Sequence, residues 1–438
     1  MTKPSLVERL LSPIADVRRE EAAGALLMTL LLLLLLAAYY LMKTAREVLI
    51  LTQGGAEVKS YSSAGQALML LWLVPAYGAF ASRVSTVRLV TVVTLFFASH
   101  LALFMVAVAS GLRVGVIYFL WLGIFNVMVI AQFWAFANDV YSEEQGKRLF
   151  PLIGVGGSLG AWLGSLRAGW LIESGSPARL LAGAGVILVI CAALVPLIHR
   201  LAVADGAHDR RVANAPLGRD GGFELIRNDR YLGLIAALML LVNVVNTSGE
   251  YLFGRYVVEQ SHLLFGGAGP EAEAARGRFV GETYASFFST VNLVGFLLQA
   301  FVVSRLFKWL GVGRSLFIHP LVALTGYLLM LRAPSLQTIG VLKVADNSLD
   351  YSLGNTTRQA LWLPTSREAK YKAKQAVDSF FVRAGDVAQA GIVFAGERLA
   401  FTVPTFASVN VLLAGAWLVV VALLAAARTE RQVPAGTA

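Results

Sequence analysis

Residues 26–51 read LLMTLLLLLLLAAYYLMKTAREVLIL. Leucine and alanine fill most of the first half. Lys43, Arg46 and Glu47 then interrupt an apolar run that resumes at Val48. About 20 apolar residues carry a helix across the roughly 30 Å hydrocarbon core of a bilayer, so this stretch is predicted to span a membrane, with a core over 22–50. It is too long for the hydrophobic segment of a signal peptide and has no small-residue cleavage site ahead of Lys43, so it is expected to be retained.

The rest of the chain repeats that pattern. Of 438 residues, 57% are hydrophobic and only 15% are charged, a balance that water-soluble domains of this length do not show. Apolar runs long enough to cross a bilayer recur from end to end and are read as about twelve spans. Their cores lie near 22–50, 63–82, 88–110, 114–138, 149–173, 178–200, 230–254, 280–304, 312–332, 336–358, 376–398 and 404–427, of which 336–358 and 376–398 are the most polar. Continuous apolar blocks, not short alternating segments, argue for helices and against a transmembrane β-barrel. The predicted class is therefore an all-α membrane protein.

Basic residues orient the spans, because cytoplasmic loops carry an excess of Lys and Arg. With the N-terminus inside, the inner loops hold Arg18/Arg19, Arg83/Arg88, Lys147/Arg148, the stretch from Arg200 to Arg230, Arg305/Lys308/Arg314, Arg367 to Lys374 and Arg428/Arg431. The outer loops hold far fewer, among them Lys59, Arg113, Arg179, Arg276 and Arg278. Both termini are predicted to be cytoplasmic, and the formal net charge of +10 is accounted for as topogenic charge, without nucleic acid. The single cysteine, Cys191, lies inside a span, so neither a disulfide framework nor a thiol metal site is expected. Histidines are few and scattered, and no metal or cofactor is expected.

The longest polar stretch, Ala202 to Arg230, divides the spans six and six. The expected organisation is an N-terminal six-helix half over 1–201, a cytoplasmic linker over 202–229 and a C-terminal half over 230–438. The halves echo each other: Ser142-Glu143-Glu144-Gln145-Gly146-Lys147-Arg148 follows the fourth span, and Ser366-Arg367-Glu368-Ala369-Lys370 follows the tenth. A duplicated six-helix unit is the simplest account. These two charged clusters are expected either to form an inter-helix network that closes a cytoplasmic gate or to serve as topogenic loops.

Ionisable side chains inside spans are costly and mark cavities or partners. In the first span Lys43, Arg46 and Glu47 share one helical face, with Tyr39 and Tyr40 close by. The bland alternative is snorkelling to the outer interface. In the seventh, Asn243, Asn246 and Glu250 recur at helical spacing, as a site or as hydrogen-bonding glue between helices. The tenth carries Lys343, Asp346, Asn347 and Asp350 on one face, as a site or as an internally neutralised structural helix. Arg383 and Asp386, with Asp378 and Gln389, fall in the eleventh, Arg167 in the fifth, and Asn126 and Gln132 in the fourth. Glu282, Asn292 and Gln299 fall in the eighth. Taken together, such stripes are what a central aqueous path between two halves requires. The cluster Gly154-Val155-Gly156-Gly157-Ser158-Leu159-Gly160 has dinucleotide-like spacing but no preceding strand, so close helix packing is expected of it. No phosphate-binding G-x-x-x-x-G-K-[ST] loop and no catalytic triad spacing occurs, so the chain is expected not to be an enzyme.

Two six-span halves joined by a polar loop resemble the major facilitator superfamily of secondary transporters, and RLFKWLGVGR, Arg305 to Arg314, is similar to its basic loop between the second and third helices of a half. More specifically, FWAFANDVYSEEQGKRLFPLIGVGGSLGAWLG, Phe133 to Gly164, resembles the ATP/ADP translocase family of nucleotide transporters. DYSLGNTTRQALWLPTSREAKYKAKQAVD, Asp350 to Asp378, and the YYLMKTAREVLI stretch of the first helix are similar to other segments of that family. The resemblance covers nearly the whole chain. It implies exchange of nucleotide tri- and diphosphates by a carrier of small anionic substrates such as ATP and ADP, with basic side chains, Lys43 and Arg46 among them, on the phosphates. The expected location is a bacterial inner membrane, and a monomer is expected, as carriers of this build often act as monomers. This chain departs from the family at Leu122, where an acidic residue is usual, and at Arg383-Ala384-Gly385-Asp386, where Asp386 stands in place of a lysine. The candidate cations and carboxylates nearly balance, which leaves open a second reading, proton-coupled movement of another small organic solute through Glu250, Asp350 or Asp386, and a third, a non-transporting membrane sensor or scaffold.

Overall fold

The computed structural model describes residues 17–18, 21–81, 85–173, 176–204, 222–366 and 368–432. Among them no strand occurs. Helix α1 runs Ala22–Ala81, α2 Thr86–Ala109, α3 Gly115–Val140, α4 Glu143–Glu173, α5 Pro177–Ala204, α6 Gly222–Asn228, α7 Arg230–Leu264, α8 Pro270–Phe301, α9 Val303–Ser315 and α10 Ile318–Arg332. There follow α11 (Leu336–Leu349), a π turn over Asp350–Gly354, α12 (Asn355–Leu361), a π turn over Ala369–Ala373, α13 (Lys374–Ala376), a π turn over Val377–Phe381, α14 (Val382–Arg398) and α15 (Val403–Gln432).

Eight of the described helices are long and apolar enough to cross a membrane, and α9 with α10, bent by 73°, make a ninth. The remaining spans were disguised in two ways. The first and second are fused into α1, because no loop separates them. The chain turns at Gly55 alone, whose φ of 76° and ψ of −176° lie where a side chain would be strained. The second span therefore begins directly after Gly55 and not near residue 63. The tenth and eleventh, which run from α11 to α12 and from Ala369 through α14, are too charged and too interrupted to register as single apolar helices. Lys59, Arg276 and Arg278, assigned above to outer loops, lie within α1 and α8. The eighth span starts at Pro270, ten residues ahead of the sequence estimate, and the residues ahead of the predicted ninth span, from Val303 on, are already helical as the first part of α9, which is broken at Gly311 (φ 71°).

The chain divides into two compact units. Met1–Gln53, Leu73–Ala213 and Gly267–Ser289 form unit 1, and Gly54–Trp72, Asn214–Gly266 and Thr290–Ala438 form unit 2. In unit 1, α2 packs chiefly on α5 and also on α3. The glycine run of α4 lies against the first half of α1. A Cβ on Gly156 would stand 2.7 Å from the Thr29 carbonyl oxygen, one on Gly160 2.1 Å from that of Leu33, and one on Gly164 2.6 Å from the Ala37 Cα. The spacing of four keeps these glycines on one face, so two backbones meet where side chains would hold them apart. That is the packing expected of this cluster, though Gly154 itself faces open space.

At the start of α1, Glu21 accepts two hydrogen bonds from Arg148 (2.9 and 3.0 Å) and one from Gln145 (3.0 Å), while Ser142 and Gln145 cap one another. Burial works to raise the Glu21 pKa, but the hydrogen bonds from Arg148 and Gln145 outweigh it, and the carboxyl lies below its usual range. A carboxyl depressed on folding stabilises the fold above its unfolded pKa, and that contribution is lost as the pH falls through the folded value. Glu21→Gln is therefore expected to weaken the drop in melting temperature as purified protein is taken below about pH 4; a wild-type acid dependence retained in full by the variant would refute this. The second charged cluster differs. Lys372 pairs with Glu368 and Lys374 with Asp378, each one turn away on its own helix, and Arg367 lies outside the described residues.

In unit 2, α7 is capped by Asp229, whose carboxylate accepts from the Tyr231 and Leu232 amides. Helix α15 closes the same end: Arg431 pairs with Asp229, and Arg428 donates to the Ala360 carbonyl at the end of α12, where Tyr231 also donates to Leu361. Carbonyls left over at a helix end are thus satisfied by side chains. Helices α10, α11, α14 and α15 all pack on or beside α7.

Candidate functional site

Each unit holds a cluster of charges. That of unit 1 is built on α1, which continues beyond Glu47 to the break at Gly55. Glu47 is fully buried and pairs with the guanidinium of Arg46, half-buried, through Nη2 and through Nε at 3.1 Å. Arg46 also lies over the Phe119 ring, 4.7 Å from its centre. Lys43 Nζ stands 4.2 Å from the ring centre of Phe288 and 5.2 Å from that of Tyr40, and the two rings meet edge to face. Tyr39 packs on Tyr40. Two cations are therefore set among aromatic faces, which attract cations through their quadrupoles and also offer surfaces on which a flat ring can stack. Asn126 is half-buried on α3, and Arg167 is exposed on α4 beside Trp170.

The cluster of unit 2 begins at Lys343, 2% exposed on α11. Its Nζ donates to Asp346 Oδ2 (2.8 Å), to Asn246 Oδ1 (2.7 Å) and to the Asn246 carbonyl (3.3 Å), and lies 4.0 Å from Glu250 Oε1. Glu250 accepts from Asn347 Nδ2 (2.9 Å), and its other oxygen is 3.6 Å from Lys59 Nζ. Asp346 Oδ1 meets His319 Nε2 at 2.9 Å. Gly249 makes the approach of α11 to α7 possible, since a Cβ there would stand 2.6 Å from the Tyr327 hydroxyl and 2.9 Å from Lys343 Cδ. One turn up α7, Asn243 donates to Asp386 (2.9 Å), which Arg383 approaches at 3.4 Å. Asp350 turns instead to Arg358, 2.6 Å away across the π turn.

The residues singled out on the tenth span thus separate. Lys343, Asp346 and Asn347 join Asn246 and Glu250, whereas Asp350 makes its own pair. Sequence reasoning passed over four members. Lys59 was assigned to an outer loop, because it falls between the predicted span cores 22–50 and 63–82. His319 was set aside as scattered, although an ionisable residue inside an apolar span is itself the signal. Tyr327, whose hydroxyl donates to the Val245 carbonyl, and Arg358 left no pattern of their own. In unit 2 every cation of this network faces a carboxylate: Lys59 and Lys343 face Glu250, Lys343 also faces Asp346, and Arg383 and Arg358 face Asp386 and Asp350. The arrangement is suited to moving a charge or a proton among fixed partners, and less suited to presenting unneutralised positive charge to a polyanion.

No family model and no curated protein sequence matches this chain. Solved structures do. A bacterial homologue of the iron transporter ferroportin, in an inward-facing state, is similar with a TM-score of 0.63 at 13% identity, over 92% of this chain and 98% of that one. The nucleoside transporter NupG gives the same TM-score, identity and coverage. A bacterial homologue of the human lysosomal transporter Spinster, inward-facing and unoccupied, is similar with a TM-score of 0.55 at 14% identity over 96% of this chain and 100% of that one. At such identities the likeness concerns the fold. The chain is an integral membrane protein with the all-helical fold of major facilitator transporters.

Proposed function

We propose that this chain is a secondary carrier working by alternating access, and that it exchanges phosphorylated organic anions of the nucleotide type. The observation that carries the reading is the unit 1 cluster, in which Lys43 and Arg46 sit on one face of α1 among Phe119, Tyr40 and Phe288. Cations among aromatic rings suit a ligand with both phosphates and a flat base. The resemblance to nucleotide exchangers in the first, fourth and tenth helices supports the same choice. In this reading the two six-helix halves, 1–201 and 230–438, rock about a central path lined by the polar stripes, with Asn126, Arg167, Arg383 and Asp386 along it, in a bacterial inner membrane with both termini cytoplasmic.

The test is counter-exchange. Purified protein in liposomes loaded with ADP is expected to take up labelled ATP, and empty liposomes are expected to take up little. Lys43→Ala is expected to lower uptake about tenfold or more while the protein stays folded and monodisperse, because a charge-assisted phosphate contact is worth about 1.5–3 kcal/mol. Equal uptake by loaded and empty vesicles, or full activity in the variant, would overturn the nucleotide reading. A second reading, proton-coupled movement of a small solute, is favoured by the paired charges of unit 2; it predicts uptake driven by an inward pH gradient without internal substrate.

A further inference from the structure

An ammonium has three hydrogens to give, and that of Lys343 has an oxygen within reach of each. Asp346 Oδ2 lies at 2.8 Å, Asn246 Oδ1 at 2.7 Å and the Asn246 carbonyl at 3.3 Å, with Glu250 Oε1 further off at 4.0 Å. The stem that carries the ammonium there runs past Gly249, where a Cβ would stand 2.9 Å from Lys343 Cδ and 3.2 Å from Nζ. The α7 backbone is thus bare where the lysine passes it.

Two carboxylates, a side-chain amide and a main-chain carbonyl form a cage of hard oxygens, the donor set on which proteins hold small cations. The charge count sets the valence. Glu250 also has Lys59, 3.6 Å from its other oxygen, and Asp346 has His319 on its other oxygen. With His319 neutral, as imidazole ordinarily is above about pH 7, removing the Lys343 charge leaves one negative charge unanswered. Two further features suit a bound ion. Asn347, 3% exposed, gives Nδ2 to Glu250, while its buried Oδ1 accepts no hydrogen bond among the described residues. A cavity of about 20 Å³ lined by Lys343, Asp346, Tyr327 and Gly326 has room for one water beside the lysine.

We propose that this cage is a monovalent-cation site and that the Lys343 ammonium is its resident ion, a counter-charge built into the chain in place of one taken up from solution. Lys343, with all three hydrogens engaged, then joins α11 to α7 and is not a ligand of the solute. The wild type needs no inorganic cation here, whereas a chain without the ammonium binds one. The assignment goes beyond the carrier reading and does not depend on what is carried.

Lys343→Ala empties the cage, and thermal unfolding of the purified variant at about pH 7.5 is compared in ammonium, methylammonium, sodium and choline chloride at one ionic strength. Ammonium or sodium is expected to raise its melting temperature saturably, by about 5 °C over choline, because a ligand held only by the folded state stabilises it by mass action. Choline is too large to enter. The wild type is expected to shift by less than about 1 °C among the same salts, and so is Lys343→Met, whose side chain fills the path of the lysine. Asp346→Asn added to Lys343→Ala should abolish the response. A Lys343→Ala that melts alike in all four salts, or a wild type that responds as strongly as the variant, overturns the proposal. If Lys343→Ala folds in none of them, Lys343→Gln decides between the same outcomes: its shorter amide still bonds to the cage and leaves the same single negative charge. In liposomes, uptake of labelled ATP by the wild type is expected to be equal in sodium and in choline, and a requirement for sodium would also overturn the assignment. Vesicles that move no nucleotide would defeat the nucleotide reading and leave thermal unfolding to decide this one.

Discussion

Lys343→Met is expected to destabilise the protein by about 3–5 kcal/mol, the loss usually found when one member of a buried ion pair is removed and its partners stay behind. Lys343 is 2% exposed and Asp346 6% exposed, so neither can turn to water in the absence of the other. Methionine fills much the same volume, so packing changes little and the loss reports the charge. Glu250 keeps Lys59, whereas Asp346 keeps only the hydrogen bond with His319 from this network. Lys343→Met combined with Asp346→Asn should therefore recover part of the loss, since the carboxylate is no longer stranded. Chemical unfolding in detergent checks both. A single variant within about 1 kcal/mol of wild type would show that the ammonium is not what neutralises Asp346.

Gly160→Val is expected to cost about 3 kcal/mol or more, at or beyond the upper end of ordinary overpacking. The obstacle is backbone: the first added carbon would stand 2.1 Å from the Leu33 carbonyl oxygen and 2.7 Å from its Cα, and no rotamer can relieve that. Helices α1 and α4 would have to separate, and with them the face that carries Lys43 and Arg46. Gly154→Ala is the control in the same helix. No atom lies within 4 Å of its added carbon, so it is expected to be neutral or to stabilise by about 0.4–1 kcal/mol through the unfolded chain. Similar thermal unfolding of the two variants would mean that the glycine run does not set the spacing of α1 and α4.

Much of the fold was legible in the linear order of residues, because the bilayer imposes a length and a composition that a helix must meet by itself. Spans such as α2, α3 and α5 appear within a few residues of their predicted limits. The errors fall where local signals mislead. The predicted span cores leave a loop between 50 and 63, but a single positive φ at Gly55 turns one helix straight into the next, and Lys59 moves from a supposed outer loop to a buried place beside Glu250. On the tenth span, spacing placed Lys343, Asp346, Asn347 and Asp350 on one face, and the π turn that begins at Asp350 directs that carboxylate to Arg358 instead.

Helical periodicity and the cost of burying charge were enough to establish that this chain crosses a membrane repeatedly and that its ionised residues gather on particular helices. Which charge answers which was a matter for tertiary structure alone. Ion pairing depends on a few ångströms between helices far apart in the chain, as with Lys59 and Glu250 or His319 and Asp346, and no pattern confined to one helix encodes that distance.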